Sequence, residues 1–415
     1  MKNQGSWKKW LTLIIVSMAG GAIYRLPYLR ETYYLALGEA SGATNAQLGL
    51  LMSAYAIANF ALYFPGGWMA DRFSPKKLIA FSTISTGALG FYFATFPSFP
   101  MLVVIHAVWA ITTVFTFWPT MIKIVRCLGD SAEQGRLFGF LEFGRGAIST
   151  ILAFISVPIF SKLGEGVMGL RGTIIFYSCS LIVIGILAIL FIEDKKDENE
   201  SSRVVIKGMF SVLKMPSVWL ASMLIFTGFS IFIGFGMVTP YLTEVFGMSE
   251  SVAATVSVIR AYVLMSAGAI VAGFIADKIG SRIRLMLFCF MGVILFTFVY
   301  RIMPGNPGLI SLVVGNLVVL GMFVFAGKAM FFSTIDEIKV PAATTGIAAG
   351  FMSLVGYLPE TFMYTWVGKM LDDNPGIQGY RNIFTLMIVL GVIGFICAAL
   401  LLKINKDKKT QISAS

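Results

Sequence analysis

Eight ionisable side chains lie inside long apolar segments of this 415-residue sequence, and they are the residues best suited to chemistry. Six are basic and two are acidic: Arg25, Arg30, Lys123, Arg145, Arg260, Lys328, Glu142 and Glu360. A charge near the centre of a bilayer costs ~3 kcal/mol or more, so each one requires a partner, a water-filled cavity or a ligand. Because bases outnumber acids, the sequence indicates that an anion binds in a central cavity.

The two carboxylates each have two interpretations. Glu142 and Arg145 are three residues apart, which places them on one helix face. They form either a structural ion pair or a switch, in which a substrate anion binds Arg145 and frees Glu142 to take up a proton. Glu360 follows Pro359, which disrupts backbone hydrogen bonding at membrane depth. It is either a proton-coupling carboxyl or the partner of a nearby base.

The spacing of the basic residues indicates where they lie relative to one another. Lys123 and Lys328 occupy nearly equivalent places in the two halves of the chain. They either hold a substrate from both halves or extend to the headgroup level. Arg25 and Arg30 are separated by roughly 140° around a helix, so only one of them can face a given cavity directly. Both remain candidate substrate-binding residues.

Tyrosines on the same apolar segments are candidate substrate contacts. They are Tyr28, Tyr241 and Tyr357. Aromatic rings also pack in cores and form belts at the membrane interface, and that is the alternative for each of them.

The elements that position these residues are membrane helices. The chain is 57% hydrophobic and only 13% charged, which is typical of a protein that lies in a bilayer. Apolar windows predict twelve spans: 9–37, 45–70, 77–96, 100–127, 135–161, 170–192, 215–244, 251–276, 284–303, 308–334, 342–369 and 379–403. We therefore predict an all-α integral membrane protein with two pseudo-symmetric six-helix bundles, 1–192 and 215–415, joined by a polar linker at 193–214.

The distribution of Lys and Arg predicts the orientation. Basic residues cluster at the N-terminus, in alternate loops, in the linker and in the C-terminal tail. The positive-inside rule then predicts a multi-pass protein of the cell membrane with both termini in the cytoplasm. This topology, together with anionic lipid headgroups, explains the net charge of +11, and nothing else favours a nucleic-acid partner.

Enzyme chemistry is disfavoured by the residue inventory. The one histidine, His106, and four scattered cysteines offer neither a metal site nor a catalytic triad. The short loops leave no room for a soluble catalytic domain. We expect no cofactor, a small-molecule substrate and a monomeric protein.

One charged turn occurs twice. Gly67-Trp-Met-Ala-Asp71-Arg72 follows the second span, and Gly273-Phe-Ile-Ala-Asp277-Lys278 follows the eighth. Together with the twelve spans and the central linker, these turns resemble those of the major facilitator superfamily along essentially the whole chain. That resemblance implies a gating role, in which Asp71 and Asp277 bind basic groups or a helix N-terminus until the halves rock. The alternative is a basic turn that only sets topology.

A narrower resemblance involves the organophosphate:phosphate antiporters. The stretch from Tyr28 to Leu37, which includes Arg30, is similar to their first-helix motif, and Arg145 falls where they have a substrate-associated histidine. Phe232 stands where they have a second phosphate-binding Arg, so the resemblance is incomplete. Arg260 on the eighth span resembles the Arg of other anion carriers and can replace it.

These observations predict a secondary transporter that works by rocking alternating access. Its substrate would be a small organic anion such as a sugar phosphate, sulfonate or sugar acid, carried with a proton or in exchange for another anion. The alternatives are a proton-driven multidrug transporter or a neutral sugar or metabolite transporter of the same fold, or a membrane receptor that transports nothing.

Overall fold

The protein is known from a computed structural model that describes residues 6–130, 133–193, 214–338, 340 and 344–414. Within these ranges, every regular element is helical. Twelve helices, α1 to α12, correspond to the twelve predicted spans. Most of the predicted linker, residues 194–213, lies outside the described residues.

Contacts divide the chain into two compact units. The first contains the described residues up to 193 together with Glu250–Val258, and the second contains 214–249 and the residues from Ile259 onward. In the first unit, Ser251 donates a hydrogen bond of 2.6 Å to Glu165, and Ser257 donates one of 2.6 Å to the Glu31 carbonyl. These bonds help to attach Glu250–Val258 to the first unit.

The first six helices lie in the first unit. Their bounds are α1, Ser6–Ala22 and Tyr34–Ser41; α2, Asn45–Arg72; α3, Pro75–Phe93; α4, Phe99–Ala110 and Trp118–Cys127; α5, Gln134–Lys162; and α6, Gly166–Phe191.

The other six helices follow in order. Their bounds are α7, Pro216–Gly236 and Val238–Phe246; α8, Glu250–Val258 and Met265–Ile279; α9, Arg282–Ile302; α10, Ile310–Ala329 and Thr334–Glu337; α11, Thr345–Gly356 and Met363–Asp373; and α12, Ile377–Ala414. Among the described residues, eight helices are long and apolar enough to cross a membrane as single spans, or nine if the two parts of α2 count together.

Prolines explain most of the helix interruptions. Proline lacks an N–H and its ring clashes with the carbonyl four residues earlier. Pro27 and Pro359 lie inside the breaks of α1 and α11, five and three residues after the helices end at Ala22 and Gly356. Pro240 lies four residues after the first part of α7 ends at Gly236, and Pro119 lies four residues after the irregular turn of α4 ends at Phe115. The break in α4 is a π-helical turn over Ile111–Phe115. These breaks open the backbone at membrane depth, where helix irregularities are often functional.

Small residues allow the helices of the first unit to approach closely. A Cβ added to Gly87 would lie 2.8 Å from the Ser178 carbonyl, and one added to Gly185 would lie 2.5 Å from Ile84. These contacts join α3 to α6. Gly20, Gly21 and Gly144 play the same part where α1 meets α5. Such close packing is how membrane helices gain van der Waals contact without a hydrophobic driving force.

Candidate functional site

Arg30 lies in the break of α1. It belongs to the 3₁₀ turn Leu29–Glu31, and only 2% of the residue is exposed. Its guanidinium carbon is 4.8 Å from the centre of the Tyr34 ring, and its Nη1 is 3.7 Å from Oε1 of Glu31. The sequence resemblance selected this arginine, and the structure places it as a buried cation beside an aromatic face.

Arg25 has a different environment in the same helix. Its Nη2 donates a hydrogen bond of 3.2 Å to the Tyr177 hydroxyl. Tyr177 donates to Ser156 at 2.7 Å, and Ser156 shares a 2.7 Å hydrogen bond with Tyr33. This buried network ties the two sides of the α1 break to α5 and α6, which favours a positioning role for Arg25.

Arg145 on α5 combines an ion pair with an aromatic contact. Its Nη1 donates a bond of 2.5 Å to Glu142, which is the predicted pairing of these two residues. The guanidinium lies 5.1 Å from the Trp118 ring centre. Its aliphatic part packs on Gly20, where an added Cβ would lie 2.9 Å away. Arg145 therefore lies at the contact of α5 with α1 and α4.

Lys123 has different contacts from these arginines. Its Nζ donates to the Asp71 carboxylate at 3.2 Å and to the Ala70 carbonyl at 3.1 Å. Its side chain is 18% exposed. Lys123 is thus a partner of the repeated turn at the end of α2.

The second unit holds Arg260 and Lys328 on an aromatic cluster. Arg260 is 1% exposed in the π-helical turn Ile259–Leu264, and its guanidinium lies 5.3 Å from the Phe235 ring centre. Lys328 Nζ lies 3.8 Å from the ring centre of Phe232. Phe325 contacts both phenylalanines, with ring centres 6.0 Å from Phe232 and 6.2 Å from Phe235.

The predicted tyrosines are divided between different surroundings. Tyr357 contacts Phe229 at a ring-centre distance of 4.9 Å, beside the Lys328 cluster. Tyr28 contacts Tyr55 at 5.5 Å, two residues from Arg30. Tyr241 is fully buried among Tyr300, Tyr380 and Phe384. Its surroundings are those of a packing residue, the alternative given for it.

The second carboxyl lies close to Tyr357. Glu360 belongs to the 3₁₀ turn Leu358–Thr361, and its backbone N–H donates to the Tyr357 carbonyl at 3.0 Å. The turn exists because Pro359 cannot continue the helix. Glu360 is half-buried in the second unit.

The two repeated turns end their helices differently. Gly280 adopts the left-handed conformation, with φ of 68°, that commonly ends a helix, and so closes α8. In the first turn Phe73 ends α2 in an extended conformation. Ser74 and Ser281 then cap the next helices by accepting backbone N–H bonds of 3.3 Å and 3.1 Å. Gly67 and Gly273 have open space around them, so packing does not require glycine there.

Glu337 was not singled out by the sequence. It accepts the Ser281 hydroxyl at 2.5 Å and the Arg282 and Ile283 N–H groups at 2.7 Å and 3.0 Å. This carboxylate holds the N-terminus of α9, next to the second repeated turn. A glutamate after an apolar span was the only signal in the sequence.

Glu133 is a second residue that the sequence analysis missed. It accepts hydrogen bonds from Lys9 at 2.6 Å and from Arg136 at 3.0 Å. The bond from Lys9, with the charges of both bases, lowers the pKa of the Glu133 carboxyl below its usual value. This contact joins the start of α1 to the start of α5.

The described residues hold no group of three or more His, Cys, Asp or Glu that could bind a metal. His106 is buried, and its Nδ1 lies 2.8 Å from the Leu102 carbonyl. This contact is within one helix and is typical of a buried packing residue.

Comparisons with known proteins agree with the fold. The family model of the Major Facilitator Superfamily matches residues 11–364. The inner membrane protein YihN of Escherichia coli is 31% identical, with 98% of this chain and 99% of the relative covered. A probable sulfoacetate transporter of Cupriavidus necator, SauU, is 31% identical over 29% of this chain and 28% of its own.

A solved structure shows the same architecture. A bacterial homologue of the human lysosomal transporter Spinster gives a TM-score of 0.74 at 15% identity, covering 97% of this chain and 99% of the homologue. Identity this low supports the fold alone. Family match and fold together confirm the resemblance drawn from the repeated turns and exclude an enzyme. The chain belongs to the Major Facilitator Superfamily, whose members are multi-pass membrane transporters.

Proposed function

We propose that this protein is a secondary transporter of a small organic anion that works by rocking alternating access. One observation carries the proposal: Arg30, Arg145, Arg260 and Lys328 each lie against an aromatic ring, at 4.8, 5.1, 5.3 and 3.8 Å from its centre. An aromatic face stabilises a cation without cancelling its charge. Two of the four also contact carboxylates, Arg30 with Glu31 and Arg145 with Glu142, so an anionic substrate would compete with these acids for the guanidinium groups.

The helix breaks support this assignment. Arg30 and Arg260 lie within the irregular turns of α1 and α8. Breaks in transporter helices commonly mark a binding site, because unwound backbone offers polar groups at membrane depth. Guanidinium groups in such places suit oxyanions, since they donate two parallel hydrogen bonds.

The substrate class is favoured by two further points. The partial similarity to SauU favours an organic sulfonate among the candidate anions. The position that phosphate antiporters give to a second arginine is Phe232, with the Lys328 ammonium above it. An ammonium is a point charge without a bidentate fork, so this position lacks the second guanidinium clamp of the phosphate antiporters.

Two carboxyl groups are candidates for coupling substrate transport to proton uptake. Glu142 already binds Arg145, so a substrate anion that competes for the guanidinium would release Glu142 for protonation. Glu360 is half-buried beside Tyr357. Proton symport through either carboxyl, or exchange of one anion for another, is consistent with these contacts.

The first test is ligand-induced thermal stabilisation of the purified protein with organic sulfonates, phosphates, carboxylates, neutral sugars and cationic drugs. We expect one anion class to raise the melting temperature, and Arg30→Ala or Arg260→Ala to abolish that rise. Arg171→Ala is the matched control, because this arginine lies 5.5 Å from the Phe96 ring but outside the proposed set. Counterflow in proteoliposomes then separates transport from receptor binding.

A neutral or amphipathic substrate is the second candidate. The density of aromatic rings in the second unit, where Phe229, Phe232, Phe325 and Tyr357 adjoin one another, favours it. A response restricted to neutral sugars or cationic drugs, unchanged in Arg30→Ala, would replace the anion proposal with this one.

A further inference from the structure

A groove of about 600 Å³ opens on the first unit between the start of α3 and the end of α6. Lys76 and Lys77 line one end. The rest of the lining is Ala80, Phe81, Ile84, Ser85 and Ile189. We call it the Lys76–Ile189 groove. Phe81 is 52% and Ile189 45% exposed, so the apolar walls face outward.

Among the described residues, no carboxylate forms an ion pair with the lysines of this groove. Other lysines at the same end of the first unit have carboxylate partners: Lys8 with Glu193, Lys9 with Glu133 and Lys123 with Asp71. In the described part of the chain, neither Lys76 nor Lys77 forms an ion pair with any carboxylate. Both also lie in the first turn of α3, where the helix dipole adds positive potential.

The groove matches the depth profile of a lipid. Trp68 and Phe73 are 55% and 49% exposed just before the two lysines, as expected of rings at the membrane interface. Ile84 lies about 12 Å further along α3 than Lys76, given the rise of a helix. The charged end therefore lies at headgroup level, and the apolar walls lie at the level of the acyl chains.

We propose that the Lys76–Ile189 groove binds an anionic phospholipid, with its phosphate on Lys76 and Lys77 and an acyl chain along Phe81, Ile84 and Ile189. Two cations that form no ion pair with a described carboxylate favour a headgroup with net negative charge over a zwitterionic one. Basic pockets between membrane helices bind anionic headgroups in this manner. The two lysines follow Asp71 in the repeated turn, so the lipid would lie beside the Asp71–Lys123 ion pair.

Native mass spectrometry of the detergent-purified protein, titrated with dioleoyl phosphatidylglycerol or dioleoyl phosphatidylcholine, tests this site. We expect tighter binding of phosphatidylglycerol, and a loss of about ten- to thirty-fold in that affinity for Lys76→Gln/Lys77→Gln, since each lysine contributes about a factor of five. Phosphatidylcholine binding stays unchanged. Ser85→Phe, which fills the groove and keeps both lysines, also weakens phosphatidylglycerol binding.

The control is Arg282→Gln/Arg284→Gln, which removes the same charge after the second repeated turn. Equal losses in both double variants would show diffuse attraction and overturn the site. Inorganic phosphate that competes fully, together with an unaffected Ser85→Phe variant, would show a free-phosphate site in place of a lipid site. Both double variants should keep the wild-type melting temperature without added lipid, because none of the four substituted residues forms an ion pair in the described structure.

Discussion

Lys123 and Asp71 form an ion pair of 3.2 Å at the end of α2, whereas the equivalent base of the second half, Lys328, lies 3.8 Å from the centre of the Phe232 ring. The sequence made these two lysines symmetric. Their surroundings separate them, because Lys123 binds a carboxylate of the repeated turn and Lys328 lies over an aromatic ring. The pairing favours a gating role for Lys123 and a substrate role for Lys328.

The first prediction concerns the gating role of the Lys123–Asp71 ion pair. Lys123→Gln and Asp71→Asn should each change the rate of counterflow in proteoliposomes while substrate affinity in the thermal-shift assay stays within about two-fold, a factor worth about 0.4 kcal/mol. The double variant should add little to either single one, because both remove one interaction. The loss of stability should be below about 1 kcal/mol, since Asp71 is largely exposed. A weakened affinity in Lys123→Gln alone would return Lys123 to the substrate site.

The second prediction concerns Phe232. Phe232→Leu keeps an apolar side chain but removes the ring beneath the Lys328 ammonium, which should weaken anion affinity by about three- to tenfold, as a cation–π contact of about 1 kcal/mol requires. Phe232→Tyr keeps a ring face and should bind nearly as the wild type does. The measurement is the substrate titration by thermal shift. An unchanged affinity in Phe232→Leu would show that the ring does not position Lys328 for the substrate.

Much of the fold could be predicted from the sequence because apolar length and proline positions act locally. All twelve predicted spans correspond to helices, and Pro27, Pro119, Pro240 and Pro359 each lie inside a break or shortly after one. The candidate site could be predicted less completely from the sequence. Arg25 and Arg30 look alike in sequence, but Tyr177, far along the chain, fixes the surroundings of Arg25. Long-range partners of this kind leave no mark in the local pattern.

The third prediction separates these two arginines. Tyr177→Phe removes the hydroxyl that joins Arg25 to Ser156, leaving buried polar groups without that bond. We expect a lower melting temperature, with a cost of about 1–3 kcal/mol, and substrate affinity within about three-fold of the wild type, or about 0.65 kcal/mol. Arg30→Ala should show the reverse, with affinity lost and stability less affected. A large affinity loss in Tyr177→Phe would place the Arg25 network in the binding site itself.

The fourth prediction is a pH dependence of stability at Glu133. Its pKa is lowered in the folded protein, chiefly by the hydrogen bond from Lys9. The stabilisation is therefore present above the ordinary carboxyl pKa of about 4.3 and is lost as the pH falls through the lower folded value. Melting temperatures measured between pH 7 and pH 3 should fall less steeply in Glu133→Gln than in the wild type. Lys9→Gln should flatten the curve similarly, and parallel curves for all three proteins would contradict the assignment.

The last prediction concerns the N-terminus of α9. Glu337→Gln keeps the size of the side chain but removes the charge that accepts bonds from Ser281, Arg282 and Ile283. Hydrogen bonds to a charged group contribute about 1.5–3 kcal/mol, so the melting temperature should fall measurably. Asp336→Asn is the control, because this neighbouring carboxylate is exposed.

If Glu337 only caps the helix, counterflow should fall in proportion to stability. A larger fall, in protein that is still folded, would show that the contact also sets the balance between transport states. Equal melting temperatures for the two variants would remove Glu337 from the structural account of the second turn.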